Sequence, residues 1–250
     1  WLFYPESFTL NLIGVLLVIW ANILDSTDGQ LARLTGHKST LGRILDALST
    51  SVWYVAIDCA LCLRLMPKAI PFSGGRPWGG LIWLVVIVCE FAGHQKQCML
   101  ADYYRNIHLF FLKNKNGSEL DRSRDIARAC AKLPWKGARF QKLYLYFYGL
   151  YTRLQELSTP SFQRLFKAIE ENGGEVDEAV RQDYLAQSRK YIQLTNILTF
   201  NTRAYTLFLL VLLGAPILFF PIELFAFGGL MLYMRAKYEA IAENILYAHR

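Results

Sequence analysis

The stretch Leu24–Ser51, LDSTDGQLARLTGHKSTLGRILDALSTS, decides how this chain folds and what chemistry it can support. It carries three carboxylates, Asp25, Asp28 and Asp46, between long apolar runs on both sides. Residues three apart on a helix project from one face, so Asp25 and Asp28 lie together. Asp46 follows a short polar turn, and antiparallel packing of the two helices would make all three acids converge. Carboxylates at membrane depth need a compensating cation, and hard divalent cations favour such oxygen clusters. The alternative to a cation site is that the three carboxylates lie at helix ends and face the lipid headgroups.

The composition predicts an all-α integral membrane protein. Of the 250 residues, 54% are hydrophobic, and the net charge is +7. This size allows one membrane domain of several spans and a modest soluble part. The basic balance suits anionic leaflets and phosphorylated substrates, and we expect no nucleic-acid partner because no basic-aromatic motif occurs. The five cysteines fall mostly in apolar runs without the spacing of a zinc site, and we expect no disulfides.

Five apolar runs predict a polytopic transmembrane helix bundle with a cytoplasm-facing polar cavity. They are Phe8–Ile23, Leu41–Met66, Trp78–Asp102, Ile197–Leu213 and Phe219–Met234. We therefore expect a membrane core over residues 1–112, a cytoplasmic helical insert over 113–192 and a C-terminal transmembrane hairpin over 193–250. Lysine and arginine concentrate beside the aspartates, in the insert and near the C-terminus, which places the active site and the insert on the cytoplasmic side.

The insert has no run long enough to cross a bilayer, and its periodic pieces predict amphipathic helices. One of these pieces carries an aromatic run: Tyr144, Tyr146, Phe147, Tyr148 and Tyr151. The run could lie in the membrane interface or pack against neighbouring helices, and the sequence leaves both interpretations open.

The aspartate stretch resembles the signature of the CDP-alcohol phosphotransferases, D-x2-D-G-x2-A-R-x8-G-x3-D-x3-D. Every interval is kept through Asp46, and one position differs, since Thr50 stands where the family has its fourth aspartate. The matching residues are Asp25, Asp28, Gly29, Ala32, Arg33, Gly42 and Asp46. The resemblance implies metal-dependent transfer of a phospho-alcohol group between a CDP-alcohol and a hydroxyl acceptor. CMP would be released in phospholipid or sphingolipid headgroup synthesis.

The resemblance also implies roles for individual residues. It assigns the three aspartates as ligands of two divalent cations, Mg²⁺ or Mn²⁺, which suit oxygen-only ligation at a phosphate site. Gly29 and Ala32 would let the nucleotide approach the helix, Arg33 would meet phosphate, and Gly42 would open the start of the second helix. The alternative for the small residues is close helix packing in a membrane.

Thr50 raises the question of which group acts as the base, because a threonine hydroxyl is not a general base at neutral pH. Glu90 and His94, one helical turn apart in an apolar run, are the candidate replacement. Their alternative role is a buried mutual hydrogen bond that stabilises the bundle. Thr50 could equally be an inactivating change, or the chain could only bind a CDP-alcohol. Arg203 could bind a lipid phosphate or snorkel to the interface.

The expected partners are a CDP-alcohol or CDP-diacylglycerol, a lipid or polar alcohol acceptor, and the bilayer itself. The resemblance further implies a span upstream of Trp1 and a homodimer formed through membrane helices. A catalytically silent binder of CDP-alcohol or lipid is the alternative function. A transporter is disfavoured because the acids cluster at one end of the helices. The side chains do not identify the alcohol.

Overall fold

The computed structural model describes residues 1–35, 40–113, 120–135 and 137–249, with the backbone alone at residues 28, 29, 32, 33, 40–51 and 200. Over these residues the chain is helical and contains no strand beyond an isolated bridge between Ala69 and Pro77. The predicted all-α class is thereby confirmed for this part of the chain.

The described helices follow one another with short connections. They are α1 (Phe8–Thr35), α2 (Thr40–Leu65), α3 (Leu81–Val88), a π-helix (Cys89–His94), α4 (Gln95–Lys113), α5 (Ser123–Lys132), α6 (Arg139–Ser158), α7 (Pro160–Glu171), α8 (Glu178–Ser188), α9 (Ile192–Ile197), α10 (Phe200–Leu212), a 3-10 turn (Pro216–Leu218), α11 (Phe219–Pro221), a second π-helix (Ile222–Phe227) and α12 (Gly228–Ala248). They form two compact units, the first from Trp1–Phe91 with Ala204–Ile222 and the second from Ala92–Arg203 with Glu223–Arg250.

In the first unit, a buried arginine joins the end of α2 to the start of α1. Arg64 Nη1 donates hydrogen bonds to Asn11 Oδ1 at 3.0 Å and to the Phe3 carbonyl at 3.2 Å. Arg64 and Asn11 are both buried, and Asn11 Nδ2 also donates to the Pro5 carbonyl at 3.0 Å. Because α1 and α2 have 28 and 26 residues and these contacts join the start of one to the end of the other, they form an antiparallel hairpin. The aspartate stretch lies at the opposite end of this hairpin.

The second unit has an aromatic core built on α4. Tyr104 stacks on Tyr238 of α12, with ring centroids 4.4 Å apart, and Phe111 stacks on Tyr184 of α8 at 3.9 Å. Phe110 meets Phe166 of α7 edge-on at 5.3 Å. Five of these six rings are at most 2% exposed. Aromatic pairs in such offset or edge-on arrangements stabilise beyond their buried area, so α4 organises this unit.

Two helical stretches among the described residues are long and apolar enough to cross a membrane: Phe8–Thr27 and Pro216–Ala248. They contain the first and fifth predicted spans. Only 17% and 33% of their most apolar windows are buried, whereas a core helix of a soluble protein would be mostly buried. The exposed apolar side chains of α1, such as Leu16, Leu17 and Trp20, fit contact with lipid.

The third and fourth predicted spans are helical but differ from the prediction. Leu81–Val88 is strongly apolar, but the chain then passes through a π-helix into α4, which supplies the core of the second unit. The run predicted from Ile197 is broken after α9, and α10 has 13 residues. At 1.5 Å per residue, α10 is about 20 Å long, short of the ~30 Å hydrocarbon core. The second predicted span, Leu41–Met66, matches the bounds of α2.

His108 in α4 predicts a pH dependence of stability. Burial lowers the pKa of the imidazole, whose Nδ1 lies 2.9 Å from Ser188 Oγ. The unfolded chain therefore binds this proton more readily than the folded chain, and stability falls as the pH drops below about 6.5. We expect the melting temperature in detergent to fall between about pH 7.5 and about pH 5.5. The melting temperature of the His108→Gln variant should fall less over the same pH range. An equal fall in the melting temperatures of both proteins would contradict the prediction.

Candidate functional site

The hairpin of α1 and α2 brings the motif positions to matching depths. Asp28 lies seven residues before the end of α1, and Asp46 lies six residues after the start of α2. At 1.5 Å per residue, the two positions are about 10 Å and about 9 Å from those helix ends. Asp25 and Thr50 are each ten residues from the same helix ends, about 15 Å along their helices. The backbone therefore pairs Asp28 with Asp46, and Asp25 with Thr50, in two adjacent levels.

The side chain of Asp25 is exposed near the end of the long apolar part of α1. Its hydroxyl neighbours are satisfied within the helix: Ser26 Oγ donates to the Asn22 carbonyl at 2.9 Å and Thr27 Oγ1 to the Ile23 carbonyl at 2.8 Å. These two hydroxyls therefore bond to the backbone of their own helix rather than to the Asp25 carboxylate.

The other motif side chains lie outside the described residues. They are Asp28, Gly29, Ala32, Arg33, Gly42, Asp46 and Thr50. Among the side chains that are described, no three His, Cys, Asp or Glu residues cluster as metal ligands. The convergence of the three aspartates on a metal stays a prediction, supported by the backbone levels.

Glu90 and His94 both lie in the π-helix Cys89–His94 and are partly exposed. The prediction placed them one α-helical turn apart. A π-helix closes its hydrogen bonds from residue i to i+5, so this segment is wound more widely than the α-helix assumed for the two residues. Whether the two side chains act together stays a prediction. Single π-helical turns inside longer helices occur frequently at functional sites.

The second unit contains a buried ion pair between Arg203 and Glu223. Arg203 Nε donates to Glu223 Oε1 at 2.9 Å and to Oε2 at 3.0 Å, and the two side chains are 0% and 1% exposed. Arg203 Nη1 donates to the Leu198 carbonyl at 2.6 Å and to Cys98 Sγ at 3.0 Å. Arg203 Nη2 donates to Gln97 Oε1, and the guanidinium lies 5.5 Å from the centroid of the Phe227 ring.

This pair corrects one interpretation of the sequence and reveals residues that it missed. Arg203 is fully buried and neutralised, so it neither snorkels to an interface nor presents a free cation to a lipid phosphate. Glu223 and Gln97 were not predicted. The available signal was one acid and one base in the two neighbouring apolar runs, Ile197–Leu213 and Phe219–Met234, since charges at membrane depth are normally paired.

Gly93 allows the Glu223 side chain to pack closely against the π-helix Cys89–His94. A Cβ at Gly93 would lie 3.2 Å from Glu223 Cγ and 3.4 Å from Oε1. We expect Gly93→Ala to lower the free energy of unfolding by about 1–3 kcal/mol, because the packed carboxylate must shift. Thermal unfolding in detergent measures the change. Gly229→Ala is the matched control, since a Cβ there meets nothing within 4 Å; a loss as large as that of Gly93→Ala would contradict the packing argument.

The first unit therefore places the aspartate-bearing ends of α1 and α2 at the same end of a helical hairpin, and α1 is long and apolar enough to cross a membrane. Residues 1–99 match the family model described as CDP-alcohol phosphatidyltransferase. The predicted resemblance is thereby confirmed for this part of the chain. Members of this family are membrane-bound and transfer phosphate-containing groups in lipid synthesis. Comparisons with curated proteins and with solved structures give no match.

Proposed function

We propose that this chain transfers a phospho-alcohol group between a CDP-alcohol and a hydroxyl acceptor, releasing CMP. The observation that carries the proposal is the aspartate motif on an antiparallel helix hairpin within residues 1–99, the part that matches the family model. The bond broken is the pyrophosphate linkage to CMP, and the bond formed joins the transferred phosphorus to the acceptor oxygen. The proton of the acceptor hydroxyl must pass to a base.

The donor set fits two divalent cations. Asp25, Asp28 and Asp46 supply carboxylate oxygens, the ligands that Mg²⁺ and Mn²⁺ prefer at phosphate sites. The backbone levels of these residues on the two helices support this donor set, and the described Asp25 side chain is exposed. Such ions, when bound, would neutralise the diphosphate and the charge that develops during transfer.

The residues between the aspartates suit a nucleotide. Gly29 and Ala32 follow on α1 and carry little or no side chain, which would allow the cytidine and its phosphates to lie against the helix. Arg33 lies one helical turn after Gly29, nearer the end of α1, and would pair with a phosphate oxygen. Gly42 stands in the first turn of α2, where a larger side chain would narrow the entrance.

The base is proposed to be Glu90, with His94 as its partner, because Thr50 cannot accept a proton at neutral pH. Both residues stand in a π-helical turn directly after a strongly apolar helix.

We further propose a polytopic arrangement with the acidic site facing the cytoplasm. The distribution of lysine and arginine supports this orientation by the positive-inside rule. A CDP-alcohol or CDP-diacylglycerol would bind at the hairpin, and the lipid partner would enter from the bilayer. Residues 113–192 would form the cytoplasmic insert, and a homodimer through membrane helices is part of this proposal.

A silent CDP-alcohol binder is the second candidate, and Thr50 is the observation that favours it. Thr50 replaces the fourth carboxylate of the motif at the level of Asp25. An aspartate at this position would complete the ligand set. A chain with three aspartates could still hold one cation and a pyrophosphate without catalysing transfer.

Turnover separates the two candidates. We expect the full chain in nanodiscs to release CMP from at least one CDP-alcohol with a hydroxyl acceptor and Mg²⁺ or Mn²⁺. Glu90→Gln should lower the rate by about 100-fold or more, the contribution of a general base. CMP release that occurs only after Thr50→Asp would refute the enzyme proposal and identify the natural chain as an inactive binder. Binding of the CDP-alcohol, measured by calorimetry, reports on folding of the site in every variant.

A further inference from the structure

The helix α6 presents a continuous apolar stripe that no described part of the chain covers. Its large apolar residues recur at intervals of three and four, the spacing of one helix face. They include Phe140, Leu143, Phe147, Leu150, Leu154 and Leu157. Exposed fractions of 91% for Phe140, 58% for Phe147 and 67% for Leu157 show that the stripe is open along the whole helix.

The opposite face of α6 is the one that packs. Thr152 and Gln155 are buried, and Gln155 Nε2 donates to the Met99 carbonyl at 3.3 Å. At Gly149, a Cβ would lie 3.3 Å from Ile126 Cγ2 of α5, which shows how closely the two helices approach. The exposed stripe is therefore not the core face of α6 but a second apolar surface.

Basic residues surround this surface. Residues 120–158, which span α5 and α6, contain eight Lys and Arg against three Asp and Glu, a net charge of +5. Arg124 and Arg153 line the same groove of about 550 Å³ as Tyr146 and Leu150. At the start of α6, Lys142 Nζ stacks over the ring of Trp135 at 4.8 Å, and Trp135 is 65% exposed.

We propose that α5 and α6 form a docking surface for an anionic lipid bilayer, with the stripe of α6 inserted among the lipid chains near the headgroups. An apolar stripe rich in aromatic residues and flanked by arginine and lysine is the pattern of a helix that lies in the interface. With four charged residues among its 20, α6 is unsuited to spanning the bilayer. Arg124 and Arg153 would meet lipid phosphates, and each basic charge strengthens attraction to an anionic leaflet.

Both the charge and the apolar stripe of this surface favour a lipid bilayer as its binding partner. A second copy of this surface would bring two clusters of net charge +5 together, which opposes self-association through it. An anionic leaflet provides phosphates that attract the basic residues and lipid chains that cover the apolar stripe. The proposal does not depend on the transfer reaction, because it concerns only the second unit and the membrane.

Photo-cross-linking of the full chain in nanodiscs tests the proposal. The photoreactive amino acid p-benzoylphenylalanine replaces Phe147 on the stripe or, as the matched control, Gln141, which is exposed but lies off the stripe. The discs contain phosphatidylcholine alone or mixed with phosphatidylserine. We expect phospholipid adducts severalfold more abundant at position 147 than at 141, and more abundant still with phosphatidylserine.

A charge variant separates the roles of apolar surface and charge. Arg124→Gln combined with Arg153→Gln should reduce the adduct in phosphatidylserine discs and leave that in phosphatidylcholine discs unchanged. Equal lipid adducts at positions 147 and 141, no lipid adduct at either, or cross-links from position 147 to a second copy of the chain would each overturn the proposal. Phe147 is exposed, so its replacement leaves the packing of the unit intact, and CMP release in the same discs reports separately on the proposed function.

Discussion

Asp46→Asn is expected to lower CMP release by about 100-fold or more. Asp46 is the acid of α2 that the hairpin brings to the level of Asp28 on α1. An asparagine keeps the size and one oxygen but loses the charge that would hold a divalent cation. A cation at a transferring phosphoryl group contributes several kcal/mol, and each 1.36 kcal/mol corresponds to a factor of ten in rate. Initial rates of CMP release at saturating Mn²⁺ measure the loss.

The same helix offers a matched control. Asp58 lies twelve residues after Asp46 on α2, about 18 Å further from the aspartate end of the hairpin. Asp58→Asn should leave CMP release within about twofold of the natural chain, since it is outside the motif. If the two variants lose equal activity, the site is not at the aspartate end. If Asp46→Asn keeps full activity, Asp46 is not a metal ligand.

The sequence predicted the local structure of this site well, for reasons specific to the stretch. The polar segment between residues 35 and 40 interrupts two long apolar runs, and α1 ends at Thr35 while α2 begins at Thr40. The antiparallel arrangement of the two helices was only a condition at the level of the sequence, and the contact between Arg64 and Asn11 agrees with it. What the stretch could not reveal is the anchor at the other end, Arg64 with Asn11, because a hydrogen bond between residues 53 apart leaves no periodic pattern.

The sequence was less informative about side-chain positions that depend on the type of helix or on a partner in a distant segment. Glu90 and His94 were placed on one face by assuming α-helical spacing, whereas the segment is a π-helix, which the apolar composition does not reveal. Arg203 was interpreted without its partner, because pairing with Glu223 depends on how two separate segments pack. The length of α10 likewise depends on the helix break at Leu198, which the apolar composition does not reveal.

The residues of the insert's aromatic run do not share one environment, which the sequence could not reveal. Tyr146 and Phe147 are 62% and 58% exposed and belong to the open stripe of α6. Tyr144 and Tyr148 are partly buried and stack on each other, and Tyr148 Oη donates to Asp121 Oδ2 at 2.8 Å. Packing against neighbouring residues is thereby confirmed for Tyr144 and Tyr148, while the interfacial position of the exposed residues stays a prediction.

Glu223→Gln is expected to lower the free energy of unfolding by about 3–5 kcal/mol, the cost of removing one partner of a buried ion pair. The glutamine keeps the shape and can still accept a hydrogen bond from Arg203 Nε. It leaves the guanidinium charge without a counter-charge at a side chain that is 0% exposed. Thermal unfolding in detergent, followed by circular dichroism, measures the loss. Replacing both charges, with Arg203→Met and Glu223→Leu, should restore much of it, because no unpaired buried charge remains.

An exposed pair of the same unit provides the comparison that isolates burial. Lys167 Nζ lies 3.5 Å from Glu171 Oε1, and these side chains are 72% and 66% exposed. Glu171→Gln should change stability by less than about 1 kcal/mol, since water screens a surface pair. If Glu223→Gln cost no more than Glu171→Gln, water would reach Arg203 in solution and the pair would not be a buried one. A large loss in Glu223→Gln that the double variant reverses would establish that charge compensation, rather than a particular contact, holds this part of the second unit together.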